Sequence, residues 1–181
     1  MKKIMFNDKY GLTQAVLEGR KTQTRRTFLK SGEETMLKGI TQEYLISVRS
    51  RYKVGESIAI AQSYADITPQ VDWVKCMIRK ETLGWNNKMF VRAEYMPHHI
   101  RITKIRIERL QDIKSEDCLK EGLWRAGDVG LEGTTYWYHG LANSSFRTPQ
   151  EAYASLIDNI SGKGTWATNP YVFVYDFELI N

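Results

Sequence analysis

The sequence has only two cysteines among its 181 residues, Cys76 and Cys118, and they form no Cys-x-x-Cys pair. Together with three histidines they show no spacing typical of metal ligands, which argues against a zinc site. No apolar run approaches the length of about 18 residues that a transmembrane helix needs. The first residues, MKKIMF, continue into polar NDKYG, so no signal peptide is predicted. We expect a cytoplasmic protein with reduced thiols, no membrane partner, and no metal or cofactor.

An excess of positive charge is present but small, with a net charge of +5 and a pI of about 9.1. Such a balance permits an anionic partner such as RNA, DNA or a nucleotide, without establishing one. Aromatic residues make up 12% of the chain, and they serve a core as readily as they serve base stacking. The length fits one domain, so we predict a single domain over residues 1–181, with an irregular insertion around 124–147.

Alternation of apolar and polar residues predicts that strands dominate the fold. The candidate strands are residues 43–52, a strand that begins with Ile58 and Ile60 after the Gly55 turn, and residues 88–96, 99–110 and 169–180. In the fourth, the isoleucine register slips between Ile102 and Ile105, which predicts a β-bulge near Thr103 and Lys104. The last is apolar on both faces and is therefore predicted to be central. A bulged corner is typical of barrels, so we predict an α+β fold, a small mixed β-barrel with helices packed outside.

Three helices are predicted from their end signals. The first covers residues 8–19 and stops at Gly19, because glycine adopts the left-handed conformation of a helix end without a Cβ penalty. A short acidic helix covers residues 115–121. The third begins at Thr148, and Glu151 completes a capping box with it.

The segment LEGRKTQTRR, residues 17–26, is the strongest candidate for chemistry. Helix ends favour basic residues, which explains Arg20 and Lys21 without any function. If the chain is extended after Lys21, however, the Thr24 hydroxyl beside the lysine amine could act as a nucleophile or position a water. Lys21 as a base would need its pKa moved from about 10.4 toward 7, or roughly 4–5 kcal/mol of differential interaction. Only a closed pocket supplies that shift, so both interpretations stay open.

The eight residues from Gly19 to Arg26 resemble the signature of the ASCH domain family, a branch of the PUA-like superfamily. Further segments resemble the family in the same order. YKVGESIAI is similar to its turn into a barrel strand, IRITKIRIERLQDIKSEDCLKEGL to its strand, corner and short acidic helix, and NPYVFVYDFELI to its closing strand. The similarity spans nearly the whole chain and is greatest to longer ASCH proteins of bacteria, phages and prophages.

The resemblance implies a PUA-like β-barrel with a cleft beside the motif, and a partner that is RNA, a nucleoside or a modified nucleotide. Some short family members are amidohydrolases that remove the acetyl group from N4-acetylcytidine. Their lysine, threonine and glutamate correspond to Lys21, Thr24 and Glu121 here. Glu121 could equally be a solvated residue at a helix end. A ribonuclease and a non-catalytic phage or prophage interaction protein are the alternative functions.

Ligand-binding residues are also expected around the motif. Gly19 forms the turn, Arg25 and Arg26 are predicted to hold phosphate, and Tyr64 is predicted to stack on a base. One departure concerns Ala61 and Gln62, which stand where many longer members have Arg-Glu. If the family pocket uses that pair, ligand or activity differs in this chain.

Two weaker candidates lie elsewhere. The aromatic residues of the insertion could form a stacking platform or could anchor the loop: Trp124, Tyr136, Trp137 and Tyr138. The basic residues of the long strand are predicted to form its solvent face: Arg101, Lys104, Arg106 and Arg109.

Overall fold

A computed structural model describes residues 1–28, 39–126, 133–141 and 145–180 of the protein. Its strands are β1 (Lys3–Ile4), β2 (Gln23–Thr27), β3 (Ser57–Ile60), β4 (His99–Arg109), β5 (Trp124–Ala126), β6 (Thr135–Trp137) and β7 (Tyr171–Ile180). Its α-helices are α1 (Leu12–Leu17), α2 (Gln42–Arg49), α3 (Tyr64–Ile67), α4 (Asp72–Met77), α5 (Ser115–Lys120), α6 (Pro149–Ser161) and α7 (Thr165–Thr168). Single 3₁₀ turns cover Asp8–Tyr10, Lys88–Phe90, Ala93–Tyr95 and Leu110–Asp112.

The main sheet has five strands in the order β1-β3-β4-β7-β2, with β1 parallel to β3 and the other pairs antiparallel. The α+β class is therefore confirmed. Among the described residues no backbone ladder joins the edge strands β1 and β2, so the predicted barrel does not close by strand pairing. The physical reason is the length of β1, whose two residues offer little backbone for a second ladder. A side chain makes the contact instead, because Arg26 on β2 donates to the Met5 carbonyl 2.5 Å away.

The pair β4–β7 forms the centre of this sheet. The register shifts between Ile102 and Lys104, which confirms the predicted bulge. The slip keeps Ile105 and Ile107 on the buried side together with Ile100 and Ile102. Strand β7 has neighbours on both sides, which confirms its predicted central place.

The three helix predictions are confirmed in outline. Helix α1 is preceded by a 3₁₀ turn, and Gly19 behind it has a φ of 73°. Helix α5 covers most of the short acidic helix. Helix α6 begins at Thr148 with both hydrogen bonds of the capping box to Glu151.

Two of the strand predictions are wrong. Residues 42–49 form helix α2, where Thr41 caps the helix by accepting from the Tyr44 backbone amide. The alternation of Tyr44 and Val48 misled because both side chains are exposed, and the helix buries Leu45 instead. Residues 88–96 contain two 3₁₀ turns instead of a strand. Side-chain hydrogen bonds hold this segment in place, because the Lys3 amine donates to the Val91 carbonyl and the Lys88 amine donates to the Phe6 carbonyl.

The insertion has more structure than a loop. Strands β5 and β6 pair within it as a separate two-stranded antiparallel sheet. Of its remaining residues, 127–132 and 142–144 lie outside the described part of the chain.

Two apolar clusters stabilise the described chain. The larger lies between the main sheet and helices α1, α5 and α6. A smaller one surrounds α3 and α4 and contains Tyr64, Ile67, Val74 and Val91. No helix among the described residues is long and apolar enough to cross a membrane.

Candidate functional site

The turn after α1 carries Lys21 to the end of α5. Gly19 reverses the chain, and the Lys21 amide then donates to the Ala15 carbonyl at 2.9 Å. The next amide, that of Thr22, donates to the Lys120 carbonyl at 2.9 Å. Backbone bonds alone therefore fix Lys21 between two helix ends, immediately before β2 begins at Gln23.

Glu121 caps the C-terminus of α5, and the glycine behind it allows the close approach. Gly122 has a φ of 99°, a conformation that side chains rarely adopt. A Cβ placed there would lie 3.3 Å from the Ala15 Cβ and 3.3 Å from a Leu12 methyl group. A glycine here therefore lets the end of α5 pack on α1, and this contact brings Glu121 to Lys21.

Lys21 and Glu121 form a buried ion pair. The Lys21 Nζ lies 2.5 Å from Glu121 Oε2, and it also donates to the Glu121 carbonyl oxygen at 2.9 Å. Lys21 is 2% exposed and Glu121 is 4% exposed. The prediction of a solvated glutamate at the helix end is therefore wrong, because the side chain points inward to the lysine.

Burial lowers the pKa of Lys21 below its ordinary value of 10.5. The Glu121 carboxylate opposes that shift, whereas the positive charges of Arg26 and Arg25 add to it. Desolvation outweighs the attraction, so this lysine gives up its proton more readily than a free one. The direction is the one that a lysine acting as a base requires.

The pair lines a cavity of about 360 Å³. Thr24 lines the same cavity and is 5% exposed. Its hydroxyl has no hydrogen-bond partner among the residues that the structure describes. The remaining walls come from the segment after β1, the start of α1, strands β2 and β7, and helix α6: Met5, Phe6, Asn7, Leu12, Arg25, Arg26, Thr27, Tyr153, Leu156, Ile160, Ser161 and Val172. The three residues predicted as catalytic thus share one concave site.

Arg25, predicted as a phosphate ligand, is engaged inside the protein. Its guanidinium donates to Glu108 at 2.6 and 2.9 Å, to Gln23, and to Glu121 Oε1 at 3.0 Å. Its side chain is fully buried. Burial alone would lower the pKa of Arg25, but the carboxylates of Glu121 and Glu108 outweigh it and raise the pKa. The geometry therefore gives Arg25 the task of holding Glu121, and leaves it no free edge for phosphate.

The ion pairs continue behind Arg25. Arg106 on β4 bridges Glu108, Asp117 and Asp176 at 3.1, 2.8 and 2.6 Å. Lys120 adds a contact to Asp117 at 3.0 Å. Burial alone would raise the pKa of Asp117, but the cations Lys120, Arg106 and Arg25 lower it below its ordinary value. Arg106 thus lies in a network, rather than on the solvent face that was predicted for it.

The other predicted site residues are dispersed. Arg26 is exposed at the cavity wall, next to Thr24. Gly19 does not line the cavity and acts through the turn. Tyr64 is buried in the smaller apolar cluster, where its ring packs against Gly84, and it is not part of the cavity wall. A base bound in this cavity therefore does not stack on Tyr64 in the described arrangement.

Gln62, where the sequence differs from many longer ASCH proteins, has a buried side-chain atom that is unsatisfied among the described residues. Gln62 is 4% exposed, and its Oε1 has no hydrogen-bond partner in the described part of the chain. Its backbone amide faces the Met96 sulfur at 3.3 Å. Neither Ala61 nor Gln62 lines the cavity.

Tyr153 belongs to the site, although its sequence pattern indicated only a core position on α6. It lines the cavity, and its hydroxyl has no hydrogen-bond partner within the described residues. Burial, reinforced by the Glu121 carboxylate, raises the pKa of Tyr153 well above its ordinary value. Its hydroxyl therefore stays protonated and can donate to a ligand. Helical periodicity marks such a residue as buried but cannot tell a core from a cavity wall.

The aromatic residues of the insertion are largely occupied. Trp124 and Trp137 stack with ring centres 5.2 Å apart, and the Arg20 guanidinium lies 3.8 Å from the Trp124 ring centre. Tyr138 is buried and bonds to Ser155. These contacts favour the interpretation as loop anchors over a free stacking platform.

Comparisons with known proteins identify no family. No family model matches the chain, and no curated protein matches it. Among solved structures, the chain is similar to protein EF3133 from Enterococcus faecalis V583, a DUF984 protein. The TM-score is 0.45 at 15% identity, with 99% of this chain and 77% of that chain covered. The ASCH resemblance is not confirmed by these comparisons.

Proposed function

We propose that this chain is a PUA-like protein of the ASCH type that hydrolyses the acyl amide of an N4-acylated cytidine in the cavity at Lys21. The observation that carries the proposal is the buried Lys21–Glu121 pair, 2.5 Å apart, in a cavity that Thr24 also lines. The proposal includes a sheet that curves like part of a barrel, with a cleft between its two edges. It is supported by the side-chain link between β2 and Met5, which brings the two sheet edges together beside the cavity.

A purely structural ion pair is the competing explanation. Burying two opposite charges is costly, and a well-packed apolar pair of similar volume is often at least as stable. The Lys21–Glu121 pair borders an open cavity instead of filling a core, and a lowered lysine pKa in a cleft is a typical mark of a functional site. The unpartnered hydroxyls of Thr24 and Tyr153 in the same wall add to that preference.

The chemistry follows from proton exchange within the pair. When the proton moves from Lys21 to Glu121, the neutral amine can accept a proton from the Thr24 hydroxyl or from a water that Thr24 orients. The oxygen attacks the acyl carbon, and the bond from that carbon to N4 breaks as Glu121 returns its proton to the nitrogen. If Thr24 itself attacks, water then hydrolyses the acyl ester. The products are cytidine and the free acid.

The developing oxyanion needs a donor. The Tyr153 hydroxyl is suited to this role, because its raised pKa keeps it protonated and no described residue engages it. Such a donor stabilises the transition state more than the ground state, since the negative charge appears only as the oxygen attacks. Tyr153→Phe is therefore expected to lower kcat more than it raises KM.

The test is hydrolysis of N4-acetylcytidine, followed by chromatography of the cytidine formed. The variants Lys21→Met, Glu121→Gln and Thr24→Val each keep the approximate shape of the side chain. Removal of one proton-transfer group is expected to lower kcat by a factor of about 10²–10⁴. Thr22→Val is the matched control, since it makes the same change two residues earlier and outside the cavity wall.

Thermal unfolding of each variant separates loss of chemistry from loss of fold. Folded Lys21→Met and Glu121→Gln proteins that turn over N4-acetylcytidine like the wild type would contradict the proposed roles. A folded wild type that binds cytidine without hydrolysing the acetylated form would indicate a binding protein instead. That second function is favoured by one observation, the exposed Arg26 at the cavity wall.

A further inference from the structure

A second cavity of about 440 Å³ adjoins the first. The two share Met5, Arg26 and Thr27 as common wall residues. The second cavity extends from the end of β2 toward the end of α2 and the outer part of β7. A ligand seated at Lys21 could therefore reach into it past Arg26.

Among the described residues, the second cavity is lined by four cations and by no acidic side chain. The cations are Lys3, Arg26, Arg49 and Arg51. Lys3 is engaged, because its amine donates to three backbone carbonyls of residues 88, 89 and 91. Arg49 and Arg51, by contrast, have no ion pair to any carboxylate among the residues that the structure describes. This contrasts with Arg25 and Arg106 on the other side of β2, which are matched by carboxylates.

The helix dipole explains only one of the three arginines at this cavity. Arg49 lies in the last turn of α2, where the helix dipole favours a positive charge. That reason does not extend to Arg51, which lies beyond the helix, or to Arg26, which lies on a strand. Arg51 lies over the Tyr52 ring, 5.6 Å from its centre, which orients the guanidinium without neutralising its charge.

We propose that this second cavity binds a phosphate group of the ligand whose base occupies the first cavity. The substrate is then a phosphorylated nucleoside, free or within a strand, rather than a bare nucleoside. Guanidinium groups match phosphate oxygens with paired hydrogen bonds, and three of them around one cavity supply the charge that a phosphate needs. The buried aromatic wall, with Tyr52 and Phe173, lowers the local dielectric and strengthens that attraction.

Identification of the base site rests on the proposed function, but the phosphate site can be tested without turnover. Cytidine and cytidine 5′-monophosphate carry no acyl group, so their affinities for the intact chain can be compared by calorimetry. We expect the monophosphate to bind about tenfold more tightly or better, as charge-assisted bonds to phosphate imply. Inorganic phosphate should compete with the monophosphate and not with cytidine.

The variant Arg49→Gln/Arg51→Gln is expected to lose this preference. Its affinity for cytidine should stay the same, because neither arginine lines the first cavity. The matched control is Arg79→Gln/Lys80→Gln, which removes the same charge at exposed positions outside both cavities. Equal affinity of the wild type for the two ligands would overturn the proposal, and so would an equal loss in both double variants.

A short single-stranded RNA that carries one cytidine distinguishes the source of the phosphate. Preference for the monophosphate alone supports a terminal phosphate, and preference for the strand as well supports a phosphodiester. The salt dependence of binding should weaken in the Arg49→Gln/Arg51→Gln variant only, with the slope reduced by about one to two. If N4-acetylcytidine is not hydrolysed but the phosphate preference persists, the proposed catalysis fails and the phosphate site stands. If hydrolysis occurs without any phosphate preference, the phosphate site fails alone.

Discussion

At the scale of single residues, the site is defined by one carboxylate between two different cations. Glu121 Oε2 faces Lys21 and Oε1 faces Arg25. Arginine stays protonated under all ordinary conditions, whereas a buried lysine can lose its proton. In the proposed mechanism, proton exchange would therefore be confined to the Lys21 side of Glu121, and Arg25 would hold the carboxylate in place.

The pH dependence of hydrolysis follows from the lowered pKa of Lys21. The proposed mechanism needs the single proton that Lys21 and Glu121 share, so kcat/KM should fall as the pH rises through an apparent pKa lower than 10.5, where the pair loses that proton. Arg26 helps to lower this pKa through its positive charge, so Arg26→Gln should shift the profile to higher pH. The measurement is kcat/KM for N4-acetylcytidine across the pH range, for both proteins.

The same titration can be followed without substrate. NMR of selectively labelled lysine reports the protonation of Lys21 directly, and Lys21→Met identifies its signal. Because the folded pKa lies below the unfolded one, the folded state binds fewer protons between the two values. The free energy of unfolding should therefore rise with pH in that window. A Lys21 signal that titrates at or above 10.5 would contradict the assignment of this amine as the base.

At the scale of elements, the end of α5 decides whether the ion pair forms. Gly122 combines a φ of 99° with close neighbours, because an added Cβ would lie 3.3 Å from both the Ala15 Cβ and a Leu12 methyl group. Gly122→Ala should lower the free energy of unfolding by about 1–2 kcal/mol for the left-handed conformation, and further for the clash. It should also lower kcat, because it moves Glu121 from Lys21.

Gly164→Ala is the control for the backbone conformation in that prediction. Gly164 has a φ of 86° and lies in the left-handed region, but nothing lies within 4 Å of an added Cβ. Urea unfolding and N4-acetylcytidine hydrolysis are measured for both variants. The expected result is a smaller stability loss and unchanged turnover for Gly164→Ala. If the two variants lose the same stability and both keep full activity, the packing of Gly122 on α1 is not what positions Glu121.

Elements with local chemical signals were predictable from the sequence, and others were not. The capping box of α6 and the bulge of β4 each depend on residues that are neighbours in the chain. Helix α2 was predicted as a strand because Tyr44, Ile46 and Val48 alternate. The Thr41 cap and the burial of Leu45 outweigh that pattern.

At the scale of the whole molecule, contacts between residues that are distant in sequence determine the surroundings of each predicted site residue. Lys21 and Glu121 are 100 positions apart, and the family resemblance linked them before the structure did. Arg25 and Arg26 are adjacent, and both were predicted to hold phosphate. Both line the first cavity, but Arg25 is fully buried against Glu108 and Glu121, whereas Arg26 is exposed and donates to the Met5 carbonyl. Of the two, Arg26 is therefore the one whose guanidinium remains accessible from solvent.

The ion-pair network and the second cavity differ in net charge. Among the described residues it holds four cations, Lys21, Arg25, Arg106 and Lys120, and four carboxylates, Glu108, Asp117, Glu121 and Asp176. It is therefore neutral and joins β2, β4, β7 and α5. Part of the excess positive charge of the chain lies on the other side of β2, in the cavity with Arg49 and Arg51. The proposed phosphate site therefore lies on that side and not in the network.

Arg25 and Arg26 are adjacent, so the different surroundings of the two arginines can be tested by comparing the stability of their variants. Arg25→Met removes the fully buried cation that Glu121 and Glu108 share and leaves each of them with one cation, so it should lower the free energy of unfolding by about 3–5 kcal/mol. Arg26→Met, one residue along the same strand, removes an exposed cation and its hydrogen bond to the Met5 carbonyl, so it should cost only about 0.5–1.5 kcal/mol. Urea unfolding at pH 7 measures both. Equal unfolding midpoints for the two single variants would show that Arg25 does not hold the elements together, and would return it to the candidates for phosphate binding.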